Sequence, residues 1–215
     1  RFPIRFRVAV QIDREDPDPE STLASLKENG ASGIRLYPSS ASKTSNLNGL
    51  WKLAGELGLV VTTGGPGGPE QYGAMFKKML DACPQTHVQI EHLAGVGMSS
   101  EPPYAAYREA LGCSQWPHTS IKIPGIGEIM KRPARLPLGY PFAQPPALFE
   151  LAMEAFGPER MVWASDFPLC ASREGYRNCI EGVRSYPAFQ DSDALNWILG
   201  KAAARIWGFD QTHLK

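Results

Sequence analysis

The 215 residues predict an α/β fold built on a parallel sheet. Three observations carry that reading. Short apolar or β-branched runs alternate with amphipathic stretches along the chain, as repeated strand–helix–strand units do. Helical stretches stop at Gly30, Gly58 and Gly157, and glycine is the residue that ends helices most easily. Polar residues recur where the strand-like runs end, which is where parallel α/β folds place chemistry.

The first strand is expected over 6–12 (FRVAVQI). A helix over 20–29 follows, with Leu23 and Leu26 at helical spacing, Asp18 as N-cap and Pro19 at the first position. The second strand is 33–37 (GIRLY), and Leu50, Leu53, Ala54 and Leu57 then make one face of a helix over 47–57. The third strand, 59–63 (LVVTT), runs into GGPGGP (64–69), a loop with neither a GxxxxGK[ST] nor a GxGxxG pattern. Met75, Phe76, Met79 and Leu80 mark a helix over 72–82. The fourth and fifth strands are 87–92 (HVQIEH) and 119–123 (TSIKI). The proline-rich stretch 124–146 has no periodic face and reads as a functional lid or a mobile segment. Leu148, Leu151, Ala152 and Ala155 define a helix over 148–156. The sixth strand is 161–165 (MVWAS), and Leu195, Ile198, Leu199, Ala202 and Ile206 mark a closing helix over 193–207. The strands are read as buried on both faces. Right-handed crossovers leave a doubly wound open sheet or a (β/α) barrel.

Lys plus Arg balances Asp plus Glu, 22 against 22, so no basic surface for nucleic acid is expected. No run of apolar residues is long enough for a membrane span, and no apolar stretch follows Arg1 to Arg5 as a signal peptide requires. Cys83, Cys113, Cys170 and Cys179 are scattered without a CxxC pair, which fits reduced thiols and a cytoplasmic location. The expected partner is a small-molecule substrate, not nucleic acid or a membrane.

The strand ends offer Asp13, Arg35, Thr62 or Thr63, Glu91 with His92, Lys122 and Asp166. Polar groups at the mouth of a parallel sheet are costly unless paired or used. Asp13 precedes REDPDP and reads as a turn residue, and Lys122 also reads as a structural partner of Glu91. Asp166 and His92 are the catalytic candidates, because a carboxylate and an imidazole at one mouth make an acid–base pair. Arg35, Lys122, Arg173 and Tyr176 are the substrate-binding candidates, the cations for anionic groups or an oxyanion. The plainer reading of Tyr176 and Arg177 is the exposed face of a helix. No GxSxG elbow supports a serine nucleophile.

FGPERMVWASDFP (156–168) resembles the G-x-x-R-h-h-h-G-S-D-h-P signature of the amidohydrolase-related family of TIM-barrel hydrolases. WILGKAAARIWGF (197–209) resembles that family's closing helix, with Lys201 where Asn is usual. VQIEHLAG resembles its h-h-h-D-H-h-G strand, with Glu91 for Asp, and GASGIRLYP and TSIKIPGIGE resemble two further strands. All five agree in order and spacing. The resemblance implies an eight-stranded barrel of which this chain supplies strands three to eight, as one domain over 1–215 lacking its N-terminal part. The family's H-x-H strand is absent, the strand matching the family's fifth (59–63) ends in Thr62 and Thr63 instead of a metal histidine, and the histidines are His87, His92, His118 and His213. His92 and Asp166 alone fall short of a zinc site, so no metal is expected in this chain. Zinc or manganese would belong to a protein carrying the H-x-H segment. The implied function is hydrolysis of a small carboxylated lactone or a related C–O or C–N bond. Metal-dependent decarboxylation on the same scaffold is one alternative. A non-catalytic truncated barrel is the other, with open sheet edges that leave room for a homo-oligomer.

Overall fold

The computed structural model describes residues 5–13, 15–38, 47–65, 67–98, 100–131, 134, 142 and 145–210. Six strands form one sheet: β1 (Ala9–Val10), β2 (Gly33–Leu36), β3 (Val60–Thr63), β4 (Val88–Ile90), β5 (Thr119–Ile123) and β6 (Met161–Trp163). Every pairing is parallel, and the spatial order is the chain order. A doubly wound sheet reverses its order at a switch point, whereas a barrel adds each strand beside the last. The architecture is therefore a partial (β/α) barrel.

Register separates two faces. Arg35, Thr62, Gln89 and Ser120 pair in one row, and Lys122 pairs with Val162 one step further on. Paired neighbours point to the same side and alternate residues to opposite sides. The opposite parity carries Ile34, Val61, Val88, Ile90, Ile121, Ile123 and Met161, all fully buried. These join Leu23, Trp51, Ala54, Leu80 and Phe149 from the helices in one apolar core. Each such side chain contributes about 1.5–3 kcal/mol by leaving water. Val60 and Val162, of the polar row's parity, are buried but lie outside that core. The sheet thus has an apolar outer face under helices and a polar inner face, and both are buried as expected, with Thr62, Gln89 and Ser120 as inaccessible as the apolar row.

The first helix, Pro19–Glu28, has the expected signals: Asp18 accepts from the Ser21 N–H and Gly30 follows at φ +99°. Asp13 is a turn residue, accepting from the Glu15 N–H at 3.0 Å. Other elements depart from expectation. β1 has two residues, and Phe6 and Val8 before it are exposed. The helix expected from 72 begins at Ala74, after a 3₁₀ turn, Pro69–Tyr72, whose buried Tyr72 hydroxyl donates to the Thr63 carbonyl at 3.1 Å. In that helix Phe76, Met79 and Leu80 face the core while Met75 points out, 67% exposed. Three or four residues of separation share a face; one does not. The closing helix starts at Ser192, one residue early, and has a π-helical middle at Trp197–Lys201 before Ala202–Ile206. In the proline-rich stretch Ile126–Glu128 is a 3₁₀ turn, and 132, 133, 135–141, 143 and 144 lie outside the described residues, as do Pro66 and His213.

Trp207, just past the closing helix, covers the N-terminal end of the inner face. Its ring sits over Gly33, where a Cβ would approach to 2.8 Å, and its Nε1 donates to Gln89 Oε1 at 3.2 Å. Arg7 Nε donates to the Trp207 carbonyl at 2.9 Å. All four cysteines are free and buried. No helix among the described residues is long and apolar enough to cross a membrane.

Candidate active site

At the C-terminal end of β4 the chain places Glu91 and then His92. His92, Leu93 and Ala94 form a left-handed turn, φ 53°, 49° and 59°, completed by Gly95 at 76°. Each non-glycine residue there costs about 1–2 kcal/mol, so the surroundings must impose the conformation. Leu93 and Ala94 are buried and anchor it. Asp166, beyond β6, is also left-handed at φ 52°. Both catalytic candidates therefore sit on backbone held in a costly conformation, which is where functional groups concentrate.

Glu91 is nearly fully buried between two cations. Arg35 Nη1 lies 2.7 Å from Oε2 and Lys122 Nζ 2.9 Å from Oε1. Burial alone would raise its carboxyl, but the charge and hydrogen bond of Lys122 and the charge of Arg35 hold it below the usual carboxylate range. Two cations against one carboxylate leave this wall of the site positive.

A second cluster faces them. His92 Nδ1 lies 2.6 Å from Glu128 Oε1. That hydrogen bond, outweighing burial, raises the imidazole above its ordinary value, assisted by the charges of Glu128, Glu91 and Asp166. Glu128 comes from the 3₁₀ turn after β5. Arg173, ending the short helix Leu169–Arg173, donates through Nη1 to Glu128 Oε2 at 2.8 Å and lies 3.2 Å from Asp166 Oδ2. The close approach of that helix needs Gly125 and Gly127, because a Cβ at either would collide with the buried Glu174 carboxyl group. Burial raises the Glu174 carboxyl, against the charge of Arg173.

Arg35, Glu91, His92, Lys122, Trp163 and Asp166 line one cavity of about 470 Å³. Of the sequence candidates, Asp166, His92, Arg35 and Lys122 are thus brought together. Arg173 reaches the cluster with its Nη1 engaged by two carboxylates rather than presented to a ligand. Tyr176 does not line the cavity; it is half exposed and packs edge-on against Trp163, with ring centroids 6.0 Å apart. Sequence reading missed Glu128. The available signal was a carboxylate closing PGIGE immediately after a strand that already carried Lys122.

A larger cavity, about 620 Å³, opens at the other end of the strands near His87, Arg160 and Arg205. There Arg160 donates to the carbonyls of Phe156, Ser114 and Trp116, and Arg205 to Glu159. That end of a barrel serves stability, and chemistry lies at the other.

The family resemblance raises the question of a metal. One nitrogen or oxygen atom each of His92, Glu128 and Asp166 lies within 4.8 Å of the others. A catalytic zinc takes three protein donors with free lone pairs, the imidazole neutral. Here His92 Nδ1 faces Glu128, and Arg173 bridges Glu128 and Asp166. A permanent guanidinium charge thus already lies against two of the three donors, and in this arrangement they do not fit a resident divalent metal.

The amidohydrolase family model matches residues 1–209. No curated protein matches the chain. A candidate 2-pyrone-4,6-dicarboxylic acid hydrolase from Pseudomonas putida superposes with a TM-score of 0.73 at 17% identity, over 97% of this chain and 74% of that one. An amidohydrolase from Burkholderia multivorans with bound zinc gives 0.76 at 14%, over 95% and 74%. The 5-carboxyvanillate decarboxylase from Sphingomonas paucimobilis gives 0.59 at 14%, over 96% and 68%. At these identities the likeness is one of fold.

Proposed function

We propose, from the premise that this chain belongs to the amidohydrolase family, that it hydrolyses a small lactone bearing at least one carboxylate. One observation carries the reading: an acid–base pair, Asp166 and His92, shares a cavity with a cation-rich wall, Arg35 and Lys122. The wall would seat a substrate carboxylate by charge-assisted hydrogen bonds. Asp166 would take a proton from the attacking water as the water oxygen bonds to the lactone carbonyl carbon. His92, oriented through Nδ1 by Glu128, would present Nε2–H to the ring oxygen as the C–O bond breaks. The proton held by Asp166 then leaves to solvent, and His92 regains one. Arg173 would hold the Asp166 and Glu128 carboxylates in place side by side.

The test is turnover of 2-pyrone-4,6-dicarboxylate, the compound named for the Pseudomonas relative, followed by loss of pyrone absorbance, within a panel of carboxylated lactones. Turnover that disappears in Asp166→Asn and His92→Asn supports the assignment. Turnover that survives both substitutions sinks it. Decarboxylation is the second reading, favoured by the likeness to the Sphingomonas decarboxylase and by the same carboxylate-binding wall. Its signature is release of carbon dioxide from aromatic carboxylic acids, a proton taking the place of the carboxylate, without lactone hydrolysis. Binding of these compounds with neither reaction points to a non-catalytic binding protein.

A further inference from the structure

We propose that Arg173 is the resident cation of the His92–Glu128–Asp166 cluster, standing where a divalent metal would otherwise sit, and that its removal turns the cluster into a metal site. The inference concerns cation occupancy and is independent of the substrate assigned above.

The donor set is of metal-binding type: one imidazole and two carboxylates from three separate elements, their nearest atoms within 4.8 Å of one another. Carboxylates converging in this way repel and need a positive charge between them. Arg173 supplies it through a single atom, Nη1, which lies 2.8 Å from Glu128 Oε2 and 3.2 Å from Asp166 Oδ2. A guanidinium cannot lose its proton in a protein, so this charge is permanent. The contact is not the forked bidentate pair typical of a purely structural arginine–carboxylate bridge. Nε and Nη2 of Arg173 are buried and make no hydrogen bond. One nitrogen bridging two carboxylates from different elements is how a point cation is held.

The position is enforced by chain geometry. Arg173 lies seven residues after Asp166, at the end of the short helix that follows it. Its side chain is about one-fifth exposed, and the glycines at 125 and 127 let Glu174, and Arg173 with it, approach the Glu128 turn. A divalent ion entering the cluster would meet this charge at hydrogen-bond distance from two of its three ligands. Displacing the arginine would strip it of Glu128 and Asp166 and leave only Glu174 Oε2, 4.0 Å from its Nε, which is costly. With Arg173 present the cluster therefore rejects metal; without it, two carboxylates and an imidazole converge on one uncompensated position.

The experiment is isothermal titration of dialysed full chain with zinc chloride and, separately, manganese chloride, with metal content read by elemental analysis. Wild type should show no saturable binding up to roughly 100 μM metal. Arg173→Met should bind about one equivalent of zinc, more than about tenfold tighter than wild type. Arg173→Met combined with Asp166→Asn should lose that gain. Arg173→Lys, which keeps the charge, should not acquire it. Circular dichroism melts establish that each variant is folded, and Arg173→Gln carries the same expectation as Arg173→Met if the latter is not. Stoichiometric zinc in wild type that is lost in Asp166→Asn overturns the proposal without recourse to any arginine variant. A folded Arg173→Met or Arg173→Gln that gains no metal overturns it as well.

Discussion

The two faces of the one sheet are made by the same strands and have opposite characters. The outer face, from Ile34 through Val61, Val88, Ile90 and Ile121 to Met161, is apolar and packed under helices. The inner face, at the other parity, carries Arg35, Thr62, Gln89, Ser120 and Lys122, and near their C-terminal ends it opens into the cavity with Asp166 and His92. Strand periodicity thus separates two tasks within each short strand. One residue holds the sheet to its helices, and the next faces a polar interior. Stability and chemistry should then respond to different substitutions one position apart.

The largest expected effect is on the inner side. Asp166→Asn should lower kcat/KM by about 10²–10⁴-fold, roughly 3–5 kcal/mol of barrier, in lactone turnover assays. Its thermal midpoint should stay close to wild type, since the Asp166 carboxylate is partly exposed and Arg173 keeps Glu128. Equal losses of stability and activity would break the division of labour. On the outer face, Ile121→Ala, at a fully buried position, should cost about 2–5 kcal/mol in urea unfolding. Its kinetic constants while folded should change by less than about twofold.

The comparison can be sharpened with pH. His87 stands just before β4 and its Nε2 lies 2.9 Å from Ser120 Oγ. Burial first, then the charges of His118, Arg205 and Arg160, push its imidazole down to about 4. The unfolded chain, with an ordinary imidazole near 6.5, takes up a proton that the folded one refuses. The contribution is complete above pH 6.5 and is lost as pH falls through 4, reaching no more than about 3 kcal/mol. Urea midpoints between pH 7.5 and 4 should fall, and His87→Asn should flatten that slope. An unchanged slope in the variant would assign the acid sensitivity elsewhere. The smallest effect is expected at the covered end of the inner face. Trp207→Phe removes the hydrogen bond to Gln89 and should cost about 1 kcal/mol in a thermal melt, with KM unaltered.

Much of this arrangement can be read from the sequence, and the limits have physical causes. The strands and their order follow from runs such as TSIKI and VQIEH. Arg35, Lys122, His92 and Asp166 can be picked out because each ends a strand, and parallel strands share one direction. The choice between a barrel and a doubly wound sheet cannot be made that way, since it depends on which strands become neighbours. The alternation of Gln89 with Ile90, and of Ser120 with Ile121 and Lys122, is visible in the sequence, and both faces are buried as such short strands require. Parity shows that faces differ, not that one of them encloses a polar interior. Glu128 was missed because it sits in a 3₁₀ turn five residues past the end of β5, where no strand period reaches. Its pairing with Arg173, 45 residues later, exists only once β5 and β6 lie side by side.

The contact between Arg7 and the Trp207 carbonyl spans 200 residues of chain. It has a consequence for how the molecule is made. A ribosome delivers the N-terminal edge of the sheet first and the tryptophan that covers Gly33 and Gln89 near the end. Until then the inner face lacks that cover at its base, and β1 is joined to β2 by a two-residue ladder and by the Ser32 and Gly33 N–H bonds to the Val8 carbonyl. Such long-range closures form late and slowly. During synthesis the emerging protein passes through a stage in which its apolar face is packed while the base of its polar interior is still open to water.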